Sequence, residues 1–224
     1  MSLGQPRDPW LARWLDLIAE RAAGLPLLEL GCGGGRDTEV LVAAGHHVVA
    51  IDLSPRAIAN AQARVPMAEF HCQDIRAPWP LAEAGVVVAS LSLHYFPWRE
   101  TEMLVERIAG VLRPHGLLLC RLNSTNDHNF GASDHPRIDD NYYLVDGAPK
   151  RFFDRAVVAR LFASGWRALG EEERVIDRYD LPKAVWEVVL EKSLSSSSSM
   201  SGCRQRRSGA RAIAKLQRSW FRNG

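Results

Sequence analysis

The 224-residue chain has little that could staple or anchor it. Its four cysteines, Cys32, Cys72, Cys120 and Cys203, lie far apart and form no C-x-x-C pair. That spacing argues against a zinc site and against a disulfide framework. They read as reduced thiols in a cytoplasmic protein, three of them near strand ends. No apolar run approaches the roughly 18 residues that a bilayer-crossing helix needs. The amino-terminal stretch MSLGQPRDPW lacks the basic-then-apolar layout of a secretory signal. Acid is missing from residues 193–224, which hold seven of the 28 basic residues: Arg204, Arg206, Arg207, Arg211, Lys215, Arg218 and Arg222. The formal charge of +2 therefore conceals an acidic body.

What is present describes a globular chain. An apolar content of 46% and a charged content of 24% are ordinary for a soluble domain, and the length suffices to bury a sizeable core. One domain over 1–192 and a tail over 193–224 account for it. The tail opens SLSSSSSMSG, a linker composition that does not pack. A basic tail can serve as a nucleic-acid or membrane arm. A disordered extension is favoured here, because the apparent fold is complete before the tail begins.

Along the body, strand and helix signals alternate. Asp8-Pro9 before WLARWLDLIAERAAG reads as a capped helix with proline in its first turn. Trp10, Leu11, Trp14, Leu15 and Ile18 share one face and form a packing stripe. PLLEL (26–30) reads as a buried strand, followed by glycines and a helix over about 36–44. HHVVAID (46–52) is a second strand, and Ser54-Pro55 caps a helix through Arg64. MAEFHCQD (67–74) and AGVVVAS (84–90) are the third and fourth strands. A helix from about Arg99 to Leu112, broken by Pro114, leads to a fifth strand, HGLLLCRL (115–122). The alternation predicts an α/β fold with a doubly wound parallel sheet, whose ligands sit outside the carboxyl ends of the strands.

The glycines then fall in the ligand crevice. Gly31, Gly33 and Gly35 can take positive φ and let a ligand press on the backbone. A dinucleotide-binding G-x-G-x-x-G would need glycine at its last place, where this chain has Arg36. The stretch Glu29 through Gly35 matches E-x-G-x-G-x-G in full. With Asp52 in VVAIDLSPRAI, Asp74 in HCQDI, and the turn and strand in VLRPHGLLLC, it resembles class I S-adenosylmethionine-dependent methyltransferases over about residues 9–192. The resemblance implies a Rossmann-like, three-layer α/β/α domain. Its seven-stranded sheet is mostly parallel with an antiparallel last strand, and WRALGEEERVI and KAVWEVVLEK fit the closing antiparallel pair.

It implies S-adenosyl-L-methionine as cofactor. Asp52 would accept the ribose hydroxyls and Asp74 the adenine amino group, with Leu53 and Ile75 as apolar walls. Glu29 would orient the methionyl end. Gly31, Cys32, Gly33, Gly35 and Ser90 complete the cofactor set. Arg36 either reaches the cofactor carboxylate or is a solvated helix residue. Alone, Asp52 and Asp74 would read as strand-end turn residues, which aspartate favours. Methyl transfer needs alignment and exclusion of water, and a base only if the acceptor must lose a proton.

The acceptor side begins at SLSLHYFPW (90–98). It lacks the Asn/Asp-Pro-Pro-aromatic motif of exocyclic-amine nucleic-acid methyltransferases, which points away from nucleic acid and towards a small-molecule acceptor. His94 is the best-placed candidate base and Tyr95 its neighbour, against the reading of His94 as a packing residue. Trp98 reads as packing. Residues 123–153 form a polar insertion or flap, where a shorter connection would suffice. NYYLVDG and APKRFFD suggest two strands turning at Asp146-Gly147. Asn123, His128, Tyr142, Tyr143 and Lys150 are candidate acceptor contacts, each against the reading of a surface hairpin packed on the sheet. A helix follows over 154–163, and Trp186 belongs to the core. A cofactor-binding protein without transferase activity and a nicotinamide-dependent oxidoreductase remain alternatives. No membrane partner is expected, and monomer and homodimer stay open. A chain ending at Lys192 is expected to fold and to bind the cofactor; a shortened protein that aggregates or loses the cofactor would refute the reading of the tail.

Overall fold

A computed structural model describes Asp8 and residues 10–194. Pro9 and the tail from Ser195 onward lie outside the described residues. The elements in chain order are a 3-10 turn at Ala12–Trp14, α1 (Leu15–Ala22), β1 (Leu27–Leu30), α2 (Arg36–Ala43), β2 (Val48–Asp52), α3 (Pro55–Arg64), β3 (Glu69–Cys72), β4 (Ala84–Ser90), α4 (Trp98–Val111), β5 (Leu112–Asn123), β6 (Arg137–Asp139), β7 (Tyr142–Val145), β8 (Ala148–Arg151), α5 (Arg155–Leu161), β9 (Trp166–Ile176) and β10 (Lys183–Lys192).

The main sheet has the order β3-β2-β1-β4-β5-β10-β9. β1 pairs in parallel with both β2 and β4, and the strand order reverses between those neighbours. Strands buried on both faces need near-continuous apolar runs, and β1 is buried at all four positions. The final strand, β10, is antiparallel to β5 on one side and to β9 on the other. The expected antiparallel strand is therefore last in sequence but second from the edge in space.

Alternating side chains build two cores on opposite faces. Leu27, Val48, Val86, Val88, Leu117 and Leu119 pack with Ile18, Ala22, Leu41 and Ile58. Leu28, Ile51, Val87, Ala89, Leu118 and Cys120 pack with Leu104, Ile108, Val158 and Leu161. The result is the three-layer α/β/α arrangement. Trp186 is buried in the second core, where its indole N–H donates to the Phe153 carbonyl at 2.9 Å. Among the described residues, no helix is long and apolar enough to cross a membrane.

Four local features differ from the sequence expectation. The opening helix is a 3-10 turn followed by α1, and Asp8 does not cap it. The Asp8 carboxylate instead pairs with fully buried Arg121, accepting from Nη2 at 2.7 Å. Arg121 stands directly opposite Glu187 across the β5–β10 pair and donates to it from Nε at 3.0 Å. A buried guanidinium needs carboxylates around it, and that demand outweighs helix capping. Second, Pro114 does not separate helix from strand. β5 starts directly after α4, and its register against β4 jumps from Leu112 to Leu117, so Pro114, His115 and Gly116 bulge outward. Third, the flap is a three-stranded sheet, with β6 added to the expected pair. The Asp146-Gly147 turn itself is as expected, with φ of 53° and 78°. Fourth, Cys120 is buried within β5 and not near a strand end.

The packing of α1 on β4 depends on one missing side chain. A Cβ at Gly85 would lie 2.5 Å from the Ala22 Cα and 2.6 Å from its carbonyl oxygen. Those are backbone atoms that cannot rotate away. Gly85→Ala is expected to destabilise the fold by about 1–3 kcal/mol through overpacking, read as a lower urea midpoint with an unchanged slope.

Candidate functional site

A cleft of about 1630 Å³ opens at the carboxyl ends of the parallel strands. Its floor is the glycine loop between β1 and α2. The N–H groups of Gly31 and Cys32 donate to the Ile51 carbonyl at 2.8 and 3.0 Å, which ties the loop to β2. Gly31 has φ of 77°, and a Cβ there would stand 2.5 Å from that of Ser92. Gly33 has φ of 54° and faces open space, so its backbone is bare to the cleft. Gly35 closes the loop as the residue before α2.

Carboxylates ring this end. Asp52, at the end of β2, accepts from the N–H of Gly33 at 2.8 Å and from that of Ser54 at 2.9 Å. It therefore clasps two strand-to-helix loops while lining the cleft. Asp74 also lines the cleft. Arg76 engages both its oxygens, from Nε at 3.0 Å and from Nη2 at 2.6 Å. Those hydrogen bonds hold the Asp74 carboxyl below the ordinary range. Leu53, 68% exposed, and buried Ile75 stand between the two aspartates on the wall. Glu29 is only 2% exposed and accepts the Thr38 hydroxyl at 2.5 Å. Burial, and then the nearby Asp37 charge, push its pKa up to about 8. Burial likewise raises the Cys32 thiol. Arg36 lies exposed on the rim. Ser90 lines the cleft with a buried hydroxyl that has no hydrogen-bond partner.

The opposite wall combines the 93–95 turn and the flap. Tyr95 lines the cleft, and the Tyr142 hydroxyl donates to the Tyr95 carbonyl at 3.1 Å. His94 is not among the lining residues. It is buried with its ring centroid 4.1 Å from that of Tyr95, and its Nδ1 has no partner. Burial, reinforced by the charges of Lys183 and Lys150, drives its pKa well below the ordinary histidine value. Of the five candidate acceptor contacts, Tyr142 alone lines the cleft. Tyr143, one residue on, faces a separate cavity, as strand alternation requires. Asn123 is buried with neither amide atom hydrogen-bonded, while His128 is exposed on its turn. Lys150 stays off the cleft wall.

Other lining residues had not been anticipated. Arg178, Tyr179, Asp180 and Leu181 enter the cleft from the β9–β10 connection, with Phe130 and Pro149 from the insertion. The Arg178 Nη1 donates to both oxygens of Asp37 at 3.3 Å. A signal for this segment existed. A last strand antiparallel to the others must be entered from the carboxyl edge, so the link before it has to pass over the ligand crevice.

Comparison with known proteins agrees with this architecture. Residues 27–116 match the family model described as a methyltransferase domain. An uncharacterized methyltransferase of Synechocystis is 32% identical over 96 residues, 42% of this chain and 45% of that protein. A trans-aconitate 2-methyltransferase of Methylobacterium nodulans is 31% identical over 111 residues, 48% of this chain and 42% of that protein. The chain thus spans less than half the length of these relatives. An S-adenosylmethionine-dependent methyltransferase from Methanosarcina mazei superposes with a TM-score of 0.65 at 17% identity, covering 75% of this chain and 92% of that one. The 1,6-didemethyltoxoflavin-N1-methyltransferase of Burkholderia thailandensis gives 0.60 at 22% identity, covering 83% and 80%. At these identities the structural matches establish the fold.

The raised Glu29 pKa makes stability depend on pH. The folded chain keeps a proton on Glu29 that the unfolded chain, with a value of 4.5, has released. This contribution is whole below pH 4.5 and is lost as pH rises towards about 8. His94, depressed when folded, contributes with the opposite sign. The melting temperature of Glu29→Gln relative to the parent is therefore expected to rise steadily between pH 5 and pH 8. A constant difference would contradict the burial argument.

Proposed function

Starting from the match of residues 27–116 to a methyltransferase-domain family model, we propose that the chain is a class I S-adenosylmethionine-dependent methyltransferase that transfers a methyl group from S-adenosyl-L-methionine to a small-molecule acceptor. The observation that carries the reading is the acidic, glycine-floored cleft formed by Glu29, Gly33, Asp52 and Asp74. The Asp52 and Asp74 carboxylates suit a cationic sulfonium nucleoside, with Glu29 offering hydrogen-bonding oxygens. Bare backbone at Gly33 leaves room for close approach. The Ser90 hydroxyl lacks a partner and needs one. When bound, the cofactor supplies an activated methyl group for in-line displacement by the acceptor nucleophile.

Asp52 has the residue type and position to accept the ribose hydroxyls, using the lone pairs that Gly33 and Ser54 leave free. Leu53 and Ile75 flank the adenine, and Glu29 serves the methionyl end with Gly31, Cys32 and Gly35 at its back. Asp74 is largely occupied by Arg76, so its share in holding adenine is the smaller one. Arg36 stays solvated at the rim, while Arg178, held by Asp37, stands nearer the methionyl end.

The acceptor side is aromatic. Phe130 and Tyr179 lie with ring centroids 5.5 Å apart, and Tyr95 and Tyr142 line the same cleft. Such walls favour a flat, unsaturated acceptor. Tyr142 bonded to the Tyr95 carbonyl keeps the flap against the turn and excludes water from the reacting atoms. His94 braces Tyr95 from behind with an uncharged ring. Asn123, His128, Tyr143 and Lys150 support the flap and do not touch the acceptor.

Titration calorimetry of the full chain is expected to give saturable binding of S-adenosyl-L-methionine and its demethylated product, and none of NAD(H). Asp52→Ala is expected to weaken that binding by about 1–3 kcal/mol, the cost of leaving buried polar groups unpaired. Asp74→Ala is expected to cost less. Equal losses would overturn the division of labour, and the absence of any cofactor heat would end the reading. Label transfer from methyl-labelled cofactor to aromatic and heteroaromatic acceptors tests the reaction itself.

A further inference from the structure

The structure has a second cavity, of about 600 Å³, on the far side of the flap from the cleft. Its walls are the end of β8, the edge strand β6, the start of α4 and one face of α5. At its base is Arg151, 4% exposed. Its Nη1 donates to the Asp140 carbonyl at 3.0 Å. Its Nε and Nη2 are buried with no hydrogen-bond partner. These two nitrogens form the side-on edge of the guanidinium, the fork whose parallel N–H groups match the two oxygens of a carboxylate. The Asp139 carboxylate faces that edge as an ion pair at 3.7 Å, beyond hydrogen-bond length, and is itself largely exposed.

Apart from Asp139, the charged side chains around the cavity are engaged elsewhere. Arg137 is paired with Asp140. Asp154 caps α5, accepting the Val157 N–H at 2.8 Å. Arg160 lies over the Trp98 ring, 3.9 Å from its centroid. Arg151 and Arg160 therefore face the cavity against Asp139. Trp98, Tyr143, Phe152 and Val157 supply apolar lining. A buried guanidinium with two unsatisfied donors is costly unless an acceptor is supplied.

We propose that this cavity is a binding site for a small planar organic carboxylate. The ligand's carboxylate takes both free N–H groups of Arg151 in place of the Asp139 side chain, and its apolar body lies against Trp98 and Tyr143. The site is separate from the cleft but not indifferent to it. The Arg151 guanidinium also lies 4.6 Å from the centroid of Tyr142, whose hydroxyl holds Tyr95 at the cleft wall. Occupying Arg151 from one side of the hairpin therefore bears on the ring that lines the other.

Benzoate is the probe. In proton–nitrogen spectra of the full chain, the Arg151 Nε–H resonance is expected to shift downfield and saturate as benzoate is added. Arg151→Gln is expected to abolish saturable binding. Asp139→Asn, which removes the competing carboxylate without touching the base of the cavity, is expected to tighten it several-fold. Asp52→Ala, in the cleft, should leave it unchanged. No saturable shift overturns the proposal, as does benzoate affinity untouched by Asp139→Asn or lost with Asp52→Ala. The asparagine variant keeps the test decisive should Arg151→Gln fail to fold.

Discussion

A carboxyl group buried at Glu29, with a hydroxyl as its hydrogen-bond partner, is the constraint around which the cleft is arranged. It stands on an interior strand, flanked in parallel by β2 and β4, so it cannot retreat into solvent. Ionising such a group in a dry site is costly. Burial raises its pKa, and the nearby Asp37 charge raises it further. Arg178 eases the burden by binding Asp37. A second charge ladder continues outward from the same arginine, which lies 3.8 Å from Asp8, the partner of Arg121. Acid concentrated at the inner end of the cleft is thus balanced from the β9–β10 connection through Arg178, while the amino-terminal segment adds a further carboxylate, Asp8, shared with Arg121.

Much of the fold was legible because it is written in local patterns. The runs at 84–90, 166–176 and 183–192 match their strands residue for residue. Ser54-Pro55 caps its helix as its residue types dictate, with the serine side chain accepting the Ala57 N–H. Asp146-Gly147 turns its hairpin with both residues at positive φ. The errors arose where a distant partner outbid a local preference. Asp8 has the makings of a helix cap, but buried Arg121 claims it. Strand β6 has three exposed residues and no apolar alternation to betray it.

The acidic wall of the cleft was legible for the same reason. Glu29, Asp52 and Asp74 sit at strand ends spaced by regular strand–helix units, so their convergence follows from topology. The aromatic wall was not. Phe130, Pro149 and Tyr179 meet only through the folding of two connections whose paths depend on tertiary packing. Periodicity also fails inside the flap, where adjacent tyrosines diverge. Tyr142 faces the cleft and Tyr143 the second cavity, and a one-residue slip in register would exchange them.

The cleft is assembled from two unmixed stretches of chain. One stretch lies between Glu29 and Glu100, the other between Phe130 and Leu181. Kinship with other proteins, over 27–116, falls on the first stretch. Such a division lets selection redraw one contiguous block, by lengthening, shortening or replacing it, while the glycine loop and its neighbouring carboxylates stay intact. A fold partitioned in this way is a socket with an exchangeable mouth, and diversity among its descendants should accumulate at one end of the molecule.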